Sequence, residues 1–366
     1  MPRVRLINLS KRFGKIIATD KVNLTVNDGE YLTILGPSGC GKTTTLKMIA
    51  GLVEPDEGEI FIGDRLVNEV PPEDREIGYV FQDYALFPHM TVWENVTYGP
   101  YVKGWEADQI RRIGDEVLRL VGLRHRDRSY PRELSGGMIQ RIALARALAA
   151  GAKLLLLDEP LSALDARLAF TLRYELTRFA RDLKLTAIHV THDQSEAMAI
   201  SDRIAVMRKG TILQVGTPIE LYMRPKRLFV ANFIGEANFL EGTVLDVDES
   251  GSLIELSGDL QVRSIKRMKS GKRTVAVFRP ETASVKKGTK IAVNSLPGTI
   301  ERSIFEGEEI RYEIRLKNED KVVVIRPSMV GRWFRVGDRV TVKIKPENVL
   351  AYPHPKRGLA EELALE

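Results

Sequence analysis

Over the first two thirds of the chain, short apolar runs alternate with segments of helical period. Tyr31-Leu32-Thr33-Ile34-Leu35 predicts a short buried strand; a glycine-rich stretch follows it, and Thr44 to Ala50 predicts a helix stopped at Gly51. Ile77-Gly78-Tyr79-Val80-Phe81, Leu154-Leu155-Leu156-Leu157 and Ala187-Ile188-His189-Val190 predict further strands. The strand signal is weak across residues 82–153. There Ile110, Ile113, Val117, Leu120 and Val121 fall on one helical face, which predicts a helical subdomain beside the main sheet. Asp193, with Glu196 at the third position after it, predicts a capping box that opens another helix. The alternation of strands and helices is that of an α/β fold.

After residue 236 the period changes to two. Ile310, Tyr312, Ile314 and Leu316 alternate with Arg311, Glu313, Arg315 and Lys317, and Val340, Val342 and Ile344 alternate with Thr341, Lys343 and Lys345. Strict alternation means antiparallel strands with one wet face. Turn signals at Glu249-Ser250-Gly251, Ser270-Gly271 and Lys317-Asn318 cut this region into short strands, the pattern of a small all-β barrel. Two domains are therefore expected, residues 1–236 and 237–366, with a loose, weakly helical tail after Pro355.

Composition narrows the setting. A chain of 366 residues is long enough for two cores, and a formal net charge of +6 describes an ordinary soluble surface. The single cysteine, Cys40, excludes an internal disulfide and fits a reducing compartment. No apolar run approaches the ~20 residues of a membrane span, and Met1-Pro2-Arg3-Val4-Arg5 lacks the apolar core of a signal peptide. A cytosolic chain is expected unless a partner holds it at a membrane.

The glycine-rich stretch is Gly36-Pro37-Ser38-Gly39-Cys40-Gly41-Lys42-Thr43, followed by Thr44. Between a strand and a helix it is a phosphate-binding loop, whose glycines let backbone N–H groups approach phosphate oxygens. Lys42 supplies a point charge for the β and γ phosphates, and Thr43 a hydroxyl for Mg²⁺. Cys40 at the helix N-terminus has two readings, a small residue that fits the loop or a thiolate with lowered pKa that senses redox state. The leucine run ends in Asp158-Glu159. Adjacent strand residues point to opposite sides, so Asp158 is assigned to the Mg²⁺ shell and Glu159 to the attacking water as general base. His192, ending the next strand, is placed to contact the γ phosphate and to position Glu159.

Taken with Gln82 and with Leu134-Ser135-Gly136-Gly137, this ordered set resembles the nucleotide-binding subunit of an ATP-binding-cassette transporter. The resemblance covers residues 4–235 and implies a P-loop ATPase using ATP and Mg²⁺. It implies that Ser135, Gly136 and Gly137 serve the γ phosphate of ATP held by the opposite subunit of a head-to-tail homodimer. Met138 departs from the family's usual glutamine. By the same resemblance Phe13 stacks on adenine, Ser162-Ala163-Leu164-Asp165 lines the dimer seam, and Gln82 links Mg²⁺ and water to a transmembrane permease. Tyr84, Leu86, Phe87 and Met90 are expected either in the core or lining a groove for a permease helix. Phe233 to Leu240 and Val277-Phe278-Arg279-Pro280-Glu281 resemble the junction and first strands of importer ATPases with a C-terminal oligomer-binding-like domain. Its Gly235-Glu236-Ala237-Asn238 form leans toward polyamine, iron and oxyanion importers rather than sugar importers.

The implied partners are a second copy, permease subunits and a solute-binding protein, with the chain peripheral to the cytoplasmic face of the plasma membrane. The barrel either holds the dimer together or senses a regulator. Two other functional classes stand beside the importer. A soluble cassette ATPase acting on DNA or ribosomes would be favoured by coiled-coil arms or two cassettes in one chain, and neither is present. Nor does the barrel suit nucleic acid, because Glu313 interrupts Arg311, Arg315 and Lys317. A binding module without turnover is opposed by an intact Glu159 and His192.

Overall fold

A computed structural model describes residues 2–162, 166–331 and 333–365. It divides into two compact units, residues 1–224 and 225–366. The first is built on a six-stranded sheet in the order Thr211–Gly216, Arg203–Arg208, Tyr31–Leu35, Thr186–Thr191, Leu154–Asp158, Ile77–Val80. The five strands from Arg203–Arg208 onward pair in parallel, and Thr211–Gly216 closes one edge antiparallel. The leucine run lacks polar positions because both of its faces are covered. Leu154 and Leu156 pack with Leu46, Met48 and Ile49 of the helix Lys42–Ala50, while Leu155 and Leu157 join the core under the helical subdomain.

That subdomain comprises helices Val92–Val102, Ala107–Leu120 and Gly136–Ala149. On Ala107–Leu120 the buried side is Gly114, Val117 and Leu118, continued by Val121, whereas Leu120 is exposed, a departure from the expected face. Gly114 turns the face: a Cβ there would lie 2.7 Å from the Trp93 ring, so only glycine admits this approach of two helices. A four-stranded antiparallel sheet, Ile16–Val26, Val4–Phe13, Glu57–Ile62 and Arg65–Leu66, completes the unit. Its inner residues Val4, Leu6, Val22, Leu24 and Ile60 share a core with the helix Lys42–Ala50.

The second unit holds two five-stranded antiparallel sheets. One runs Gln261–Ser264, Gly251–Leu256, Asn238–Asp248, Arg273–Phe278, Leu350–Pro353; the other Ala283–Lys287, Arg339–Ile344, Ser295–Phe305, Glu309–Leu316, Lys321–Pro327. Ile310, Tyr312, Ile314 and Leu316 are at most 2% exposed, so the alternating pattern did mark the inward face. They meet Leu240, Ile254, Phe278 and Leu296 of the remaining strands in one core. The division at 224/225 precedes the expected boundary because helix Leu228–Phe233 packs its Leu228 and Ala231 on Val275, Val277 and Tyr352. Arg279 fastens it further, donating to the carbonyls of Ala231 at 2.8 Å and Glu236 at 2.9 Å. The tail is not loose: helix Leu359–Leu363 sets Leu359 and Leu363 on the same cluster, and Asn232 Nδ2 donates to the Leu363 carbonyl at 3.0 Å.

Candidate functional site

Between strand Tyr31–Leu35 and helix Lys42–Ala50 the glycine-rich loop passes close to other backbone. A Cβ on Gly36 would sit 2.2 Å from the carbonyl oxygen of Met207, and one on Gly41 2.1 Å from that of Ala18. Gly41 also takes φ 102°, and no side chain caps the helix it opens. Among the described residues no side chain accepts from the first-turn N–H groups, including those of Thr43 and Thr44, the arrangement that suits an anion. Ser38 and Gly39 are exposed, Pro37 is half-buried, and Lys42 is buried with its ammonium donating to the carbonyls of Gly36 at 3.0 Å and Pro37 at 2.9 Å. The Cys40 thiol is buried too. Burial pushes its pKa up, outweighing the lowering by Lys42 and by backbone N–H groups, which opposes the reactive-thiolate expectation.

Asp158 is buried, and its carboxylate accepts from Thr43 Oγ1 at 2.8 Å on Oδ1 and from the Tyr79 hydroxyl at 3.1 Å on Oδ2. Glu159 turns the other way. Its φ of 46° is the left-handed region a non-glycine residue occupies at a cost of roughly 1–3 kcal/mol, held by its N–H donating to the Val190 carbonyl at 2.9 Å and by Ser162 Oγ donating to its own carbonyl at 3.0 Å. Its Oε2 lies 3.1 Å from Nδ1 of His192. A carboxylate only accepts, so Nδ1–H is the donor in this contact, and no hydrogen bond among the described residues engages Nε2.

His192 is fixed from beneath. Thr191 Oγ1 accepts from the Asp193 N–H at 3.0 Å and donates to Glu196 Oε2 at 2.6 Å, while Glu196 Oε1 lies 3.2 Å from Nε2 of the fully buried His189. Burial alone would raise the Glu196 pKa; His189, Thr191 and Arg173 outweigh it and hold the carboxylate lower. The expected capping box is thus half formed. Asp193 accepts from the Glu196 N–H at 3.1 Å, but the Glu196 side chain turns inward instead of back to the cap.

Known proteins match most of this chain. The ABC transporter family model matches residues 19–162 and the TOBE domain model residues 276–351. A spermidine/putrescine import ATP-binding protein, PotA, of Thermobifida fusca is 42% identical over 96% of this chain and 94% of its own. An Fe(3+) ions import ATP-binding protein, FbpC 1, of Rhizobium meliloti is 41% identical over 96% of both chains. The chain belongs to the ABC transporter family. Its first unit is the ABC ATPase, which couples ATP hydrolysis to transport, and the relatives set it among importer subunits rather than among soluble cassettes acting on DNA or ribosomes. Among solved structures, the ATP-binding cassette MJ0796, a dimer in a post-hydrolysis state bound to ADP and Pi, aligns with TM-score 0.54 and 33% identity over 59% of this chain and 98% of that one.

Of the remaining positions that the resemblance singles out, Phe13, Gln82 and Ser135 to Met138 make no hydrogen bond, among the described residues, to the Thr43–Asp158 and Glu159–His192 pairs. Ser135 and Gly136 are exposed at the start of helix Gly136–Ala149, Gly137 is buried, and no hydrogen bond among the described residues joins them to Lys42, Asp158, Glu159 or His192. Met138, in place of the usual glutamine, packs half-buried against the subdomain core. Gln82 is exposed in the turn after strand Ile77–Val80. Phe13 is 50% exposed at the tip of the hairpin whose second strand supplies Ala18 to the loop. Asp165 lies outside the described residues.

Two of the four groove candidates belong to packing. Tyr84 is buried with its hydroxyl 3.5 Å from the Pro160 carbonyl, and Leu86 leans on the subdomain core. Phe87 rests on Tyr98, ring centroids 4.7 Å apart, and Tyr101 and Val102 on the same helix are more exposed still. Tyr79 escaped the sequence reading as a site residue, since a tyrosine within an apolar strand run carries no motif.

Proposed function

We propose that this chain is one half of a composite ATPase that drives solute uptake. Each copy contributes Lys42, Thr43, Asp158, Gln82, Glu159 and His192 to one nucleotide, with Phe13 on the adenine, and Ser135, Gly136 and Gly137 to the nucleotide of the other copy, with Asp165 at the seam. What carries this reading is that the Glu159–His192 pair is assembled within one chain, while the Ser135 side chain and Gly136, exposed at the start of helix Gly136–Ala149, make no hydrogen bond to it among the described residues. A head-to-tail homodimer gives them a phosphate.

Thr43 and Asp158, two oxygen donors within 2.8 Å of each other, suit the hard, mostly hydrated Mg²⁺ that accompanies ATP, and Gln82 completes that side. When bound, the ion neutralises charge on the β and γ phosphate oxygens. The chain's own work is positioning and proton transfer. The loop N–H groups and the Lys42 ammonium hold the phosphates in line. The Glu159 carboxylate takes the proton of the attacking water as its oxygen bonds the γ phosphorus and the bond to the ADP oxygen breaks. His192, through Nδ1–H, keeps that carboxylate aimed, and with Nε2 carrying a proton as well the ring donates to a γ phosphate oxygen.

Permease subunits dock near Phe87, Tyr98 and Tyr101, next to Gln82, and hold the chain at the cytoplasmic face of the plasma membrane. No helix among the described residues is long and apolar enough to cross it. The cargo is chosen by the permease and a solute-binding protein; the relatives named for spermidine/putrescine and for Fe(3+) make polyamine and ferric ion the first two to try. The test is Glu159→Gln. ATP binding should be retained while turnover drops by roughly 10²–10⁴-fold; wild-type turnover would remove Glu159 from the base role.

A further inference from the structure

The phosphate-site motifs account for one of the two hydrogen bonds on Asp158. The other comes from Tyr79, which no motif includes. Its strand, Ile77–Val80, neighbours Leu154–Asp158 in parallel with Tyr79 opposite Leu156. Leu156 and Asp158 project from the same face, so the phenol reaches one step up the neighbouring strand to Asp158 Oδ2 at 3.1 Å, while Thr43 Oγ1 donates to Oδ1 at 2.8 Å. The terminal torsion of an aspartate is broad and roughly two-fold. A donor on each oxygen removes that freedom and makes the two oxygens inequivalent.

We propose that Tyr79 is a positioning residue for Asp158: its hydroxyl occupies Oδ2, so that Oδ1 is the oxygen turned to Thr43 and to the Mg²⁺ of bound Mg-ATP. The inference rests on the reading of Thr43 and Asp158 as the Mg²⁺ side of the site. A phenol hydroxyl is protonated throughout the physiological range, so it stays a donor to the carboxylate. The ring is seated independently of the hydroxyl, with its centroid 4.4 Å from that of Phe81. Tyr79→Phe therefore deletes the hydrogen bond and keeps the packing.

The experiment measures affinity of the full chain for a fluorescent methylanthraniloyl-ATP, in Mg²⁺ and in EDTA, for wild type, Tyr79→Phe, Asp158→Asn and Phe81→Leu. Groups that orient the residues around a metal typically govern its affinity by 10–100-fold. The Mg²⁺-to-EDTA affinity ratio is expected to fall about tenfold in Tyr79→Phe, with the EDTA affinity unchanged. Asp158→Asn should lower the ratio at least as far, and Phe81→Leu, which loosens the ring but spares the hydroxyl, should leave it at the wild-type value. An unchanged ratio in Tyr79→Phe beside a lowered one in Asp158→Asn overturns the role of Tyr79 alone. Equal losses with and without Mg²⁺, or the same fall in ratio in Phe81→Leu, show that Tyr79 acts through packing and overturn it as well. If Asp158→Asn leaves the ratio intact, the Mg²⁺ assignment of Asp158 fails and takes the proposal with it.

Discussion

Cys40 shows how one side chain's setting decides between two chemistries. A thiol at a helix N-terminus near a lysine is a candidate thiolate. Here the side chain is only 4% exposed, Gly36 lies so close that a Cβ there would stand 2.7 Å from Cys40 Sγ, and burial raises the pKa. The thiol is therefore a packing residue of the loop. Iodoacetamide at pH 8 should alkylate it at least tenfold more slowly in the folded chain than after unfolding in urea, since only a thiolate free of its cover reacts. Comparable rates before and after unfolding would restore the redox reading. Glu159 is the converse case. It holds a left-handed backbone and meets His192, so its strain sits where a reactive carboxylate must face away from Asp158.

At the scale of elements, what the sequence made legible follows from how each segment is covered. The leucine run was readable because it is sandwiched, and the glycine-rich loop because close backbone approach admits no other residue at Gly36 and Gly41. Strands Val4–Phe13 and Ile16–Val26 were not readable: exposed, irregularly paired stretches interrupt their alternation, with register shifts between Leu6 and Leu9 and at Lys11. Asn95 was missed for a different reason. It lies inside helix Val92–Val102 with no charge or motif, yet its Oδ1 accepts from Phe87 N–H at 2.8 Å and its Nδ2 donates to the carbonyls of Phe87, Met90 and Thr91 at 3.0 to 3.1 Å. This one side chain ties residues 87–91, just beyond Gln82, to the helical subdomain. Asn95→Ala takes the side-chain partner from the part-buried Phe87 N–H and Met90 carbonyl and should destabilise the ATPase unit by about 1–3 kcal/mol in urea unfolding. Hydrogen exchange should quicken first at residues 84–91, and protection there equal to wild type would refute the tie.

For the molecule as a whole, two units explain why two periodicities coexist in one chain. The first unit buries both faces of a parallel sheet, and in the second strands such as Glu309–Leu316 bury one face, so the change from continuous apolar runs to alternation is visible in the sequence. The boundary itself was misplaced, because helix Leu228–Phe233 reads as a continuation of the helical pattern but packs with the β unit. The composite site proposed above belongs to a larger scale still: among the described residues Ser135 and Gly136 make no hydrogen bond to Lys42, Asp158, Glu159 or His192. Light scattering on a sizing column measures this directly, using Glu159→Gln at saturating ATP and Mg²⁺, alone and combined with Ser135→Arg. The account predicts twice the mass of one chain for Glu159→Gln and a return to the single-chain mass when Ser135→Arg is added. A dimer that survives Ser135→Arg, or a Glu159→Gln chain that stays single with ATP bound, contradicts it.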